Sequence, residues 1–569
     1  MKLLSLKIQS QFRSLDPGFE VKFHQQDNFE AMTQFNPFCI VGLNGCGKSN
    51  VLEALSQIFY HLELCVGKHL PSVLREKNIF DSRKCTVDAF TLKYLTFGNR
   101  KVEAKEQHAV VITIEKKAGE APMMSVVPLY GSAPAMRFDL GKSSVGITSM
   151  AKSFLPQYVI AYSSGENETL SIPFIKSRFI HLFEFRENVV NDVVDYSSPE
   201  NSLIYVDSNM SQAILLCCLL FEDEITLKSL ATSEYTGILG IKMFRMHLRE
   251  EFFEEGKYKN SYFQLFKRKS TGNEVSAKGL FEILKDISTL SWYDIEEGAY
   301  YFDFWVNDAT KDAFKYYFHT AMDCFQVFRL LYELNNYAVK LEKQKEIFGS
   351  TGVYTDGKFG MPGSDDDVFH FLDFYLVKQV DELGGEKELL LKEFSDGEHQ
   401  FIHTMAICLL LKDSDSLILL DEPETHFNPS WRSHFVSILD KTLKNACSNL
   451  KEHDSRFVNF MKDILITTHS PFIISDCRAD HVIVVTKEGD HANAKKASTM
   501  GIKTYGASIS FIQTKIFGST DTIGGKAYQE MKSIGMQKDK NKQQKLNEVN
   551  SKFGESLEKL MILSEINEE

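Results

Sequence analysis

The sequence predicts an α/β fold interrupted by a long, mainly helical insertion, and three observations carry that expectation. Between residues 36 and 62 a short apolar run passes through a glycine-studded loop into a segment with helical periodicity. Apolar runs return at 416–420, 463–467 and 481–485, with the length and composition of strands buried on both faces. From about 170 to 370 the apolar residues recur instead at the spacing of a helix face.

Taken in order, residues 3–8 alternate apolar and polar and predict a strand, and "FRSLDPGFEVKF" (12–23) predicts a turn into a second one. "NPFCIVGLN" (36–44) predicts a short buried strand and "SNVLEALSQIFYHL" (49–62) a helix. Strands follow at 90–97 and 108–117, and this first lobe closes near 155–168. Helices are expected at 211–222 and 325–348, with an aromatic strand, "AYYFDFWV" (299–306), between them; such a stripe is ordinary core. Glycine and acidic residues make 349–367 a loop or linker. The division expected is a first part of the α/β head (1–168), an insertion (169–370), a second part of the head (371–490) and a helical tail suited to partner docking (491–569).

Composition narrows the class of molecule. At 64.9 kDa the chain exceeds one compact core, so more than one lobe is expected. A net charge of -13 argues against coating nucleic acid by bulk electrostatics and leaves room for a local basic groove. The run Lys538, Lys540, Lys542 and Lys545 reads first as a solvated helix face. Residues 1–14 hold neither a signal-peptide core nor a membrane span, so a cytoplasmic protein without a membrane partner is expected. Ten cysteines occur without a CxxC pair, which predicts reduced, buried thiols, Cys217 and Cys218 among them.

The chemistry is concentrated in residues 42–49, G-L-N-G-C-G-K-S, a full match to the phosphate-binding pattern GxxxxGK[ST] placed between strand and helix. Backbone N–H groups of such a loop point inward and the helix presents its positive end, which suits a polyphosphate. Gly42, Asn44, Gly45, Cys46, Gly47, Lys48, Ser49 and Asn50 are therefore candidate nucleotide contacts, with Lys48 on the β- and γ-phosphates and Ser49 on Mg²⁺. A carboxylate must complete the magnesium site, and "SLILLDEPETHFNP" (416–429) supplies it where four apolar residues end in Asp421 and Glu422. Asp421 is the expected metal partner and Glu422 the expected base toward water.

"FSDGEHQ" (394–400) ahead of a helix resembles the signature motif of ABC-type ATPases, and "ILITTHSPFII" (464–474) places His469 like their switch histidine. With these pieces in order, the chain resembles the ABC-type ATPases related to SMC, Rad50, RecF and the overcoming-lysogenization nucleases, over roughly 1–165 and 370–490. The resemblance implies an ATP- and Mg²⁺-dependent ATPase head that pairs with a second copy or a higher homo-oligomer. It implies that Ser395 and Gly397 face the γ-phosphate held by Lys48 of the other copy, and that Asn428 lies in the inter-subunit loop. Arg13 and Ser14, in "FRSL", occupy the position of a residue pair near the nucleotide. Asp396 departs from the pattern by placing negative charge near that phosphate, and Gln157 is the nearby candidate for the usual magnesium-sensing glutamine.

The insertion has neither a long heptad run nor a CxxC hook, and residues 470–569 lack the room and the DxD cluster of a TOPRIM nuclease. "TIEKK" (113–117) contains an ExK triplet with only Asp88 upstream, too little for a nuclease in this chain. "DEPETHFNP" resembles the form of this motif in the overcoming-lysogenization relatives, the segment 504–527 resembles the C-terminal segment of ATPases associated with restriction and anti-phage systems, and the chain as a whole looks most like the Septu ATPase subunits. That resemblance implies a separate HNH endonuclease partner. A RecF-like repair clamp acting on DNA or another nucleic acid stays open as the competing class, as does a module whose nucleotide is purely structural.

Overall fold

The computed structural model describes residues 1–75, 79–97, 108–131, 134–142, 150–165, 167–190, 200–232, 235–249, 280–336, 340–349, 367–380, 385–446, 462–489, 491–519, 523–537 and 540–568. Its centre is a seven-stranded sheet in the order His491–Lys496, Val482–Glu488, Phe38–Val41, Lys462–Thr467, Ser416–Asp421, Tyr158–Ser163, Leu203–Tyr205. All neighbours run parallel except the edge pair Val482–Glu488 and His491–Lys496. Parallel strands need cover on both faces. Their alternating side chains accordingly feed two cores: Leu417 and Leu419 enter one, Ile418 and Leu420 the other.

The first core lies under a six-stranded antiparallel sheet from the N-terminal part, ordered Glu20–Lys22, Lys2–Ile8, Phe90–Phe97, Ala109–Lys116, Met123–Pro128, Met136–Asp139. Helix Lys48–Val66 packs into it through Val51, Leu52, Leu55, Ile58, Phe59 and Leu62. In this region the expected strands and helix are present with small shifts of boundary, and the sheet extends two strands further than the sequence pattern announced.

The second core unites the insertion with the rest of the head. Helix Ser208–Phe221 lies against both Ala321–Leu334 and Asp396–Leu410. Helices are frequent in 169–370, but that segment also builds a sheet. Leu290–Asp294, Ala299–Trp305 and Ile238–Arg249 join Phe369–Gln379 and Glu386–Leu390 in a five-stranded antiparallel sheet. Phe244, Phe302, Phe304 and Phe374 line its inner face, so the phenylalanines of the stripe at 299–306 are core, whereas Trp305 in the same stripe is exposed. The helix expected over 325–348 is two, Ala321–Leu334 and Leu341–Gly349. The interruption follows from Asn335, whose side-chain amide pairs with the backbone N–H and C=O of Phe369 instead of continuing a helix face. The loop at 349–367 falls almost wholly outside the described residues, as does Lys538.

Beyond the central sheet, helix Ile509–Phe517 is followed by Gly525–Gly535, Lys542–Lys552 and Leu557–Glu568, which share a small core of Met531, Ile534, Val549, Ile562 and Ile566. The lysines expected on a solvated face serve this bundle. Lys540 pairs with Glu548, Lys542 donates to the Asn567 carbonyl, and buried Lys545 donates to the Gly535 carbonyl. Among the described residues no helix is long and apolar enough to cross a membrane. Nine of the ten cysteines are described, and all nine are free thiols.

Candidate functional site

Strand Phe38–Val41 is buried along its whole length and delivers the chain to the loop at the carboxyl edge of the central sheet. The loop turns on Gly42, Gly45 and Gly47, whose φ angles of 152°, 74° and 102° belong to glycine. Two of these positions also have no room for a side chain. A Cβ on Gly42 would stand 2.2 Å from the Val485 carbonyl oxygen, and one on Gly47 2.6 Å from Ser14 Oγ. Leu43, Asn44 and Gly45 are exposed at the rim, while Cys46 is buried beneath Gly42.

Lys48 opens the following helix, and its ammonium folds back to donate to the carbonyls of Gly42 (3.2 Å) and Leu43 (3.1 Å). Burial pulls its pKa down, and the carboxylates of Glu422 and Asp421 oppose that shift. Ser49 Oγ donates to Asp421 Oδ1 at 2.9 Å, across a sequence separation that only the parallel sheet can close. Asp421 is the last residue of its strand, and its carboxylate also accepts from Thr467 Oγ1 (2.5 Å) and Asn167 Nδ2 (2.7 Å).

Glu422 takes the left-handed conformation, with φ of 49°, a geometry rare outside glycine and asparagine. Its N–H is held by both the carbonyl and the hydroxyl of Thr467, each at 3.1 Å. The side chain therefore swings off the strand toward His469, whose Nε2 stands 3.3 Å from Glu422 Oε1. Burial, followed by the charge of Lys48, lowers the His469 pKa, with Glu422 opposing. Lys48, Ser49, Asp421, Glu422 and His469 thus converge at one end of the sheet.

A second layer supports the loop. Phe12 and Leu15 exchange backbone hydrogen bonds, which makes Arg13 and Ser14 a two-residue turn with Arg13 at φ 51°. Arg13 Nε reaches Glu53 Oε2 at 2.6 Å, and Ser14 Oγ accepts from Asn50 Nδ2 at 2.6 Å. Ser395, Gly397 and Asn428 gather elsewhere, around two helix starts. Ser395 caps helix Asp396–Leu410 in a reciprocal box with Glu398, whose carboxylate is also paired with Lys378. Gly397 lies so close to the inter-helix loop that a Cβ would meet the His426 carbonyl at 2.9 Å. Asn428 Oδ1 accepts from the Trp431 N–H at 2.8 Å and caps the next helix.

Gln157 is not part of the site. It precedes strand Tyr158–Ser163 at the end opposite Asp421, six residues and about 20 Å away, with its N–H on the Asp415 carbonyl. The side-chain amide that reaches Asp421 is that of Asn167. As for the ExK triplet, Asp88 accepts from Lys116 at 3.1 Å, while Glu115 points out to solvent.

The cluster fits Mg²⁺ and a polyphosphate. A hydroxyl and a carboxylate 2.9 Å apart are hard oxygen donors, and the glycine loop forms a backbone cradle that a Cβ at Gly42 would fill.

Residues 282–475, about a third of the chain, match the family described as "AAA domain, putative AbiEii toxin, Type IV TA system". The chain carries an AAA-type ATPase domain. The matched stretch of that ATPase domain takes in the Ser395 helix, the acidic strand and His469, and the loop at 42–49 lies outside it.

Solved structures similar to the chain include the SmcHead bound to the C-winged helix domain of ScpA, at 10% identity, TM-score 0.34, 88% of this chain and 99% of that one. A second is the Smc head domain with an extended coiled coil bound to the C-terminal domain of ScpA from Pyrococcus furiosus (11%, TM-score 0.30, 88% and 97%). A third is the Smc head domain with a coiled coil and joint from Pyrococcus yayanosii (14%, TM-score 0.29, 88% and 98%). No curated protein matches.

Several residues around this cluster were not anticipated from sequence. Thr467 and Asn167, which hold Asp421, carry no motif, although Thr467 sits inside the run "ILITTHSPFII" and Asn167 inside the segment 155–168. Glu424 is another. It is 4% exposed, its Oε1 accepts from the Thr468 hydroxyl, and its Oε2 has no hydrogen-bond partner among the described residues. Burial pushes this carboxyl up to about 7 from 4.5, so the folded protein keeps a proton that the unfolded chain releases.

The resulting stability is fully present below about pH 4.5 and is lost as pH rises through 7, a swing of up to about 3 kcal/mol. Glu424→Gln should remove that swing. Urea midpoints at about pH 5 and about pH 8 should differ less in the variant than in the parent, and equal differences would clear Glu424 of this role.

Proposed function

We propose that this chain is the ATP-hydrolysing subunit of an anti-phage defence complex, like the Septu ATPase subunit PtuA, and acts as a nucleotide-dependent switch for a separate HNH endonuclease. The observation that carries the ATPase reading is the convergence of Lys48, Ser49, Asp421, Glu422 and His469 at the carboxyl edge of one parallel sheet. The defence reading rests on the DEPETHFNP run and the segment 504–527.

In this reading the loop amides and Lys48 hold the β- and γ-phosphates of ATP, exchanging the carbonyl contacts of the ammonium for phosphate oxygens. Ser49 and Asp421 hold Mg²⁺, which supplies neutralising charge to the phosphates when bound. Glu422 takes a proton from the attacking water, and His469 orients that water with it. Ser395 and Gly397 of a second copy complete the site, with Asn428 in the loop between the copies. Exposed Asp396 sets negative charge beside the approaching phosphate and slows closure, which suits a switch better than a motor.

The test is co-expression of the protein with its chromosomal neighbours, purification, and a nuclease assay with and without ATP. A stable complex with an HNH protein, whose cutting changes with ATP and with Lys48→Ala, is the expected result. A solitary ATPase that binds gapped duplex would replace the defence switch with a RecF-like clamp.

A further inference from the structure

His469 is held on two sides by different parts of the chain. Its Nε2 faces Glu422 Oε1 at 3.3 Å, and its ring stacks on Phe517 with centroids 6.1 Å apart and planes inclined by 27°. The imidazole is 36% exposed, so the core does not cage it and these neighbours decide its orientation.

Phe517 is well placed for that task because its own position is fixed from below. It ends helix Ile509–Phe517, which Gly518 terminates at φ 65° and whose Ile512 and Ile516 are buried in the second core. The chain entering this helix is laced to the short helix Pro471–Ser475 that follows His469. Ser475 Oγ donates to the Ala507 carbonyl (2.8 Å), the Gly506 N–H donates to the Ser475 carbonyl (2.8 Å), and Thr504 Oγ1 donates to the Cys477 carbonyl (2.6 Å). The residues that follow His469 are therefore tied to the segment 504–517, and the Phe517 ring is the part of that segment that reaches His469.

We infer that Phe517 is a positioning residue for His469, setting the ring plane in which the histidine meets Glu422 and giving the segment 504–517 a hold on hydrolysis. This rests on the hydrolytic reading of His469. Phe517 is itself only half-buried, so removing its ring perturbs the orientation of its neighbour more than the core. Misorientation of a group at the reacting centre is costly in rate even when the displacement is small.

The experiment measures ATP hydrolysis by the full chain as parent, Phe517→Ala, Phe517→Tyr, His469→Ala and the double variant His469→Ala/Phe517→Ala. Phe517→Ala should lower kcat about tenfold with KM for ATP within about twofold of the parent, and Phe517→Tyr should restore kcat to within about twofold. In the His469→Ala background, Phe517→Ala should cost nothing further, because a positioning residue has nothing left to position. An unchanged kcat in Phe517→Ala, or the same fold-loss in both backgrounds, overturns the inference and leaves the ATPase reading standing. Hydrolysis at the parental rate by His469→Ala removes the histidine from the reaction, and the role of Phe517 with it.

Discussion

Glu422→Gln should bind Mg-ATP as tightly as the parent and hydrolyse it about 10³-fold more slowly, with closed dimer accumulating in the presence of ATP. The expectation comes from how this side chain is held. Its backbone is pinned by Thr467 in a left-handed turn, and its carboxylate is 41% exposed and faces His469 instead of joining Ser49 on Asp421. Glutamine has the same shape and keeps those contacts, so the phosphate cradle is untouched. What it lacks is a basic oxygen for the water proton. Phosphate release, binding of a fluorescent ATP analogue and light scattering together separate the effects. A variant that turns over at the parental rate would take the base role away from Glu422, and one that loses binding would place Glu422 among the ground-state ligands.

The second large effect lies away from the chemistry. Glu333→Ala should destabilise the protein by about 3–5 kcal/mol. Arg329 is 2% exposed and donates from Nε to Glu333 Oε1 at 2.9 Å, and His181 meets the same carboxylate. Without Glu333, the buried guanidinium keeps, among the described residues, one carbonyl, that of Leu203 at 3.2 Å, and no counter-charge. The cost is that of an orphaned charge, so the double variant Arg329→Met/Glu333→Leu should recover most of it. Urea-unfolding midpoints decide the matter: a double variant no more stable than Glu333→Ala would show that packing, and not charge, dominates. Because these residues tie helices Glu168–Val190 and Ala321–Leu334 to the edge strand Leu203–Tyr205, the loss should be felt by the insertion and the central sheet together.

The glycine-rich loop of the proposed nucleotide site stood out in the sequence because its geometry tolerates few residues: three glycines at positive φ, followed by a lysine and a hydroxyl. Asp421 and Glu422 were legible because four apolar residues deliver two carboxylates to a strand end. Their supporting cast was not. Thr467 and Asn167 are ordinary polar residues whose role exists only once the sheet order puts their strand ends beside Asp421. Gln157 misled for the same reason, being close to the right strand but at its wrong end.

The five-stranded sheet was hidden by distance. Strand Ile238–Arg249 pairs with Phe369–Gln379, and the methionines, lysine and arginines of "IKMFRMHLR" blur an alternation that the buried Phe244, Met246 and Leu248 make plain in three dimensions.

The strand order of the central sheet also sets a timetable for synthesis. Phe38–Val41, which carries the loop, has as its neighbours Lys462–Thr467 and Val482–Glu488, made more than 400 residues later. At ordinary elongation rates the loop strand waits about 20–90 s on the ribosome for either flank. Until then its four apolar residues and unpaired backbone are exposed, and Ser49 has no Asp421 to meet. Nascent and prematurely terminated chains are thus unable to bring Ser49 and Asp421 together, and they carry an open strand edge that invites chaperones or aggregation. The cluster of Lys48, Ser49, Asp421, Glu422 and His469 is therefore completed late in translation, when the last parallel strands close on the first.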